Sequence, residues 1–173
     1  MTERQLQGPA FPDDDGRADP ALAAALAAYG ATAGNDEYVA ALALLQSARV
    51  LVPVVAVLGE VEVDAQGLAH DKSSDMAAVL IQTRDGRRGL LAFTSTDALA
   101  AWNPEARPVP VATRTAAQAA VQESAAALVI DVAGPTRWVA DGDTLTALAA
   151  GYRLARLDGG LAWVQDDDSM DPG

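Results

Sequence analysis

The spacing of apolar residues changes period several times between Pro20 and Trp163. In PALAAALAAYG, Leu22, Leu26 and Tyr29 fall on one helical face, with Asp19 or Pro20 at the start and Gly30 where a left-handed cap would end it. Tyr38, Leu42 and Leu45, with Val39 beside them, form a second helical stripe over residues 36–48, capped by Asn35 or Asp36. The run RVLVPVVAVLG at 49–59 is continuous and β-branched, as in a strand covered on both faces. Pro53 has no N–H to donate, so this strand is expected to be an edge or to bulge there.

Strands are predicted over 76–82 and 88–94 around TRDGRR, where Asp85-Gly86 between apolar runs marks a hairpin with both central residues at positive φ. Ser95 or Thr96 caps a short helix, DALAAW, that Asn103-Pro104 stops. Residues 107–112 lead back to the sheet, Thr113 or Thr115 caps the helix TAAQAAVQESA, and ALVIDVA is a further core strand. After the Gly134-Pro135 turn come a strand RWVA, a helix DTLTALAAG capped by Asp141 or Asp143, and a hairpin around Asp158-Gly159-Gly160. Strands and helices mix without regular βαβ alternation, so the predicted fold is α+β, a mixed β-sheet with helices packed on its faces.

At 173 residues, half of them hydrophobic, the chain can bury one core. The net charge of −12 is uneven. Residues 1–19 and 164–173 carry −7 of it, and such acidic, apolar-poor stretches read as flexible tails around a single domain over 20–163. The residual negative charge of the core argues against direct nucleic-acid binding. Cysteine is absent, which excludes disulfides and thiolate chemistry. The N-terminus does not read as a signal peptide and no apolar run reaches membrane-span length, so a cytoplasmic protein with no membrane partner is expected.

His70, the one histidine, sits in a polar loop, and no G-x-S-x-G elbow, phosphate loop or metal-ligand spacing occurs. No catalytic residue, metal or cofactor is therefore assigned. The residues left with chemical interest are Asp71, Lys72, Asp75, Arg88, Trp102 and Arg107, at predicted element ends. They read either as cross-loop ion pairs with Trp102 filling the core, or as a shallow binding surface for a protein or small anion.

The stretches DK-x-S-DMA, DGR, FTS, Trp followed by RPVPV, and D-x-AGP occur here in that order. Together they resemble the SseB family in its actinobacterial form, over roughly residues 40–151, and point to its N-terminal domain. The matching positions include Phe93, Thr94, Ser95, Pro108, Pro110, Asp131, Gly134 and Pro135. That family is named for a serine-sensitivity phenotype and not for a reaction. The resemblance implies an SseB-like fold and an unidentified protein partner, with a translation-linked one among the expectations. The expected function is a non-enzymatic binding or regulatory module. The alternative is a small-ligand receptor or an enzyme of unrecognised type built on Asp71, Lys72 and Arg107.

Overall fold

The computed structural model describes residues 11–56 and 76–165. Its elements are α1 (Pro20–Thr32), α2 (Asn35–Leu45), β1 (Arg49–Ala56), β2 (Met76–Ala78), β3 (Leu80–Gln82), β4 (Arg88–Ala92) and α3 (Thr96–Trp102). They continue as β5 (Arg107–Ala112), α4 (Thr113–Gln122), β6 (Ala127–Ile130), β7 (Trp138–Asp141), α5 (Gly142–Ala150), β8 (Tyr152–Leu157) and β9 (Gly160–Gln165). The fold is α+β. The strands form three sheets, ordered β2-β1-β5, β3-β4-β6-β7 and β8-β9, with β4 and β6 parallel and the other pairs antiparallel.

Alternation along β4, β6 and β7 separates two apolar faces. Leu90, Ala92, Leu128, Ile130, Trp138 and Ala140 point into a large core closed by α1, α2, α4 and α5. Leu91, Phe93 and Val129 point the other way, towards Ala98 and Leu99 of α3 and Leu51 of β1. Burial on both faces explains why these strands read as unbroken apolar runs. On the larger side Tyr38 stacks on Trp138, ring centroids 4.7 Å apart, and its hydroxyl donates to the Val139 carbonyl at 2.9 Å.

Several local expectations are revised. The 76–82 strand is split at Val79: its first half pairs with β1 and its second with β4. The hairpin at Asp85-Gly86 forms, but only Gly86 takes positive φ, at 87°. Gly86 N–H donates to Thr83 O and Thr83 N–H to Arg87 O, the pattern of a turn closed by a glycine bulge. Gly30 lies inside α1, whose left-handed cap is Ala33. A methyl group at Gly30 would strike the Thr136 hydroxyl, so the glycine permits close packing where a terminator was expected. The caps of α2 and α4 are Gly34 and Ala112, neither with a side-chain hydrogen bond, while Thr113 Oγ1 donates to Ala48 O; the α5 cap is Asp141 as expected, though its side chain makes no capping bond.

Pro53 falls in the central strand of its sheet and not at an edge. Leu51 and Phe93 exchange both backbone hydrogen bonds, at 2.7 and 2.8 Å, so the polar groups of Leu51 point away from β5. Two residues on, Pro53 repeats that orientation, and its nitrogen faces the gap between this bridge and the start of the β2 ladder at Val54. The opposed residues are Pro110 and Pro108. Their nitrogens therefore face the outer edge of β5, where no ladder donor is missed and strand addition is blocked. Replacing Pro108 and Pro110 together with valine should leave the domain folded but restore two edge donors. Light scattering across a concentration series should then show stronger association than in the parent chain.

Candidate functional site

β4 and β6 run parallel, so their carboxyl ends lie side by side, the place where open α/β sheets gather ligands. At that end Asp131 and Thr94 meet. The Thr94 N–H donates to Asp131 Oδ1 at 2.8 Å and its hydroxyl to Oδ2 at 2.7 Å, with both residues buried. Asp131 takes φ 50°, a left-handed value that aspartate tolerates better than most residues. Ser95 accepts from Ala98 N–H and starts α3. A cleft of about 410 Å³ opens beside the pair, walled by Ala23, Leu26 and Ala27 of α1, Ala98 and Ala101 of α3, and the 133–136 turn.

The surroundings of this pair are held from the N-terminal side. Arg49 donates to the Thr94 carbonyl at 2.8 Å, to Asp14 Oδ1 at 2.5 Å and to the Arg17 carbonyl at 2.7 Å. Thr96 N–H donates to the Gly16 carbonyl at 2.8 Å. Asp14 to Arg17, assigned by composition to an acidic tail, are thus attached to the domain at the turn after β4.

The opposite ends of β4 and β6 border a second concavity of about 610 Å³. Its floor is the face that α3 leaves open: Ile81 of β3, Gly89 of β4, Ala127 and Val129 of β6, and Val139 of β7. Arg87, Arg88 and Arg137 stand at its rim with Asp141.

Of the six residues singled out in the sequence, Asp71, Lys72 and Asp75 lie outside the described residues, as does His70. Arg88 is exposed at the start of β4 and rims the groove. Trp102 ends α3, half-buried with its ring 5.6 Å from Phe93, and belongs to the same apolar cluster as Ile81, Ala127 and Val139. Trp102 thus shares the apolar face of Ile81, Ala127 and Val139, while Arg88, which alternates with Gly89 along β4, borders that face from the end of the strand. Arg107 is exposed on β5, opposite Val54, in the other sheet. Sequence reasoning missed Thr94 and Asp131 as a pair, although both stand in the stretches FTS and D-x-AGP that carried the family resemblance. Thirty-seven residues separate them, and only the parallel register brings them together. Among the described residues no group of three or more His, Cys, Asp or Glu could hold a metal ion, and no helix is long and apolar enough to cross a membrane.

Burial raises the Asp131 pKa, and the bonds from the Thr94 hydroxyl and N–H offset only part of that. A carboxyl whose pKa is higher folded than unfolded contributes stability that is complete below the unfolded value and is lost as pH rises through the folded one. Asparagine suits the same φ and can keep both contacts, accepting from Thr94 N–H and donating to its hydroxyl. Asp131→Asn should therefore melt higher than the parent at neutral pH by about a few degrees, with the advantage fading below about pH 4. Asp131→Ala strands the Thr94 N–H and should cost about 1–3 kcal/mol at either pH. Calorimetric melts between pH 3.5 and 7.5 read both effects.

The family model of the SseB protein N-terminal domain matches residues 22–147. That span takes in Thr94, Asp131 and every residue bordering the groove. No curated protein and no solved structure gives a significant match. With the match covering most of the chain, and with FTS and D-x-AGP meeting at the ends of β4 and β6, the protein belongs to the SseB family.

Proposed function

We propose that the chain is a non-enzymatic binding or regulatory module whose docking surface is the partly open face of the β3-β4-β6-β7 sheet, between Trp102 and Arg88. The supporting observation is the uneven roofing of that face. Leu91 and Phe93 are sealed beneath α3, whereas Ile81, Ala127 and Val139 remain half-exposed around the groove. An apolar floor with a charged rim is the anatomy of a docking surface.

The non-catalytic reading is supported by Asp131. Burial drives its pKa upward, and both its oxygens are engaged by Thr94. A small-ligand receptor is the second reading, favoured by the cleft of about 410 Å³ beside that carboxyl. Cytoplasmic location and an actinobacterial form belong to the same proposal, supported by the cysteine-free, arginine-rich composition.

Ala127→Glu tests the first reading, because it places a charge on the groove floor at a half-exposed position. The variant should keep a melting temperature within about 3 °C of the parent. In quantitative affinity capture followed by mass spectrometry, it should retain about tenfold less of any partner held by the parent chain. Retention equal to the parent's would remove the groove from the binding surface.

A further inference from the structure

We propose that the groove takes an extended acidic peptide segment of a partner protein, with aliphatic side chains set between its carboxylates; this rests on the reading of the open sheet face as the docking surface.

Charge is the first argument. Acids outnumber bases 24 to 12 in the chain, yet three arginines border this groove, Arg87 and Arg88 at the amino end of β4 and Arg137 before β7 at the opposite end. Arg87 is shared with Asp85 at 2.8 Å in an exposed pair. Arg88 and Arg137 are exposed and have no ion-pair partner among the described residues. A guanidinium offers carboxylates a planar, two-pronged donor set, so the rim selects anions with geometry as well as charge. Asp141, level with Ala127 at the Arg88 end, sets a counter-charge that disfavours indiscriminate anion binding.

Shape and polarity decide what carries the anion. The floor crosses all four strands, from Ile81 to Val139, roughly 14 Å at the usual strand spacing. Small-molecule sites enclose most of their ligand, whereas this one is a trough on a sheet face. Ile81, Ala127, Val129 and Val139 give it an apolar floor that a uniformly polar acidic chain would desolvate to no benefit. An extended peptide meets both demands, because alternate side chains project in opposite directions. Aliphatic residues then face the floor while the residues between them turn carboxylates towards the arginines.

A random peptide-display library panned on the full-length chain, beside Arg88→Glu/Arg137→Glu, tests this. The parent should enrich sequences mixing Asp or Glu with Leu, Ile or Val. Synthetic versions, read by fluorescence anisotropy, should lose about tenfold or more in affinity on the charge-reversed variant, and copies with lysine for each acid should bind that variant better than the parent. Several results overturn the proposal. Enriched peptides without acidic bias that still perturb groove resonances would reject the acidic occupant and leave the docking surface standing. Binding that appears only once residues 166–173 are deleted would make the chain's own acidic segment the occupant. A dimer dissociated by the two reversals would make it a second copy, and displacement by equimolar inorganic phosphate would reduce the site to a small-anion site. No enrichment, beside partner capture that Ala127→Glu abolishes, would reject the peptide and keep the module.

Discussion

Two backbone hydrogen bonds between Leu51 and Phe93 hold the end of β4 against the middle of β1, and the arrangement around the carboxyl end of β4 follows from them. Up to Ala92 the strand pairs with β3 and β6; at Phe93 its polar groups turn to the other sheet. The β4-β6 ladder ends at Ala92 and Ile130, so the Thr94 N–H has no β6 carbonyl to reach. Asp131 meets that loss with its side chain, whose carboxylate accepts the Thr94 N–H in place of a ladder carbonyl. Thr94 gives its own carbonyl to Arg49, Ser95 caps α3, and the Phe93 ring becomes the seat of Trp102. Each of these contacts satisfies a group that the switch between sheets would otherwise orphan.

What the sequence made legible was local. Period and turn chemistry located the helices, the Asp-Gly hairpin and the final hairpin, because those depend on neighbours within a few residues. Pairings between distant segments were not legible. The RPVPV alternation reads as a proline-guided return, and its meaning as a blocked edge emerges only from the pairing of Pro108 with Pro53 and Pro110 with Leu51. Gly30 illustrates the same limit: a glycine near a helix end reads as a terminator, while its neighbour Thr136 is over a hundred residues away. For the candidate surface, Arg88 and Trp102 were legible as polar and aromatic groups at element ends. The floor between them was not, since Ala127, Val129 and Val139 look like any core strand until one knows that α3 covers only part of that face.

The two ends of the parallel pair carry opposite chemistry. At the carboxyl end, a buried carboxylate is locked by Thr94 and shielded by alanines of α1 and α3. At the amino end, Arg87 and Arg88 border an apolar floor that runs open to solvent towards Arg137 across the sheet. The first end is costly to change, because removing a partner leaves a buried polar group unpaired. Charges at the second end are exposed, so replacing them alters recognition with little effect on stability. Structural constraint and adaptable surface are thereby assigned to different ends of the same strands.

The groove is also a consequence of where α3 stops. Asn103 sits extended before Pro104, which disfavours helical backbone at the preceding residue, and the helix ends after seven residues. At 1.5 Å per residue it is about 10 Å long, against about 17 Å for the five residues of β4 and roughly 14 Å across the sheet. A helix that short cannot roof the whole face in any orientation. Its last residue, Trp102, extends the cover as far as Phe93, and beyond it the floor lies open. The Asn-Pro stop that the sequence displays is thus the local cause of the exposed apolar surface, and the arginines around it give that surface a charge preference that a mere gap in packing would lack.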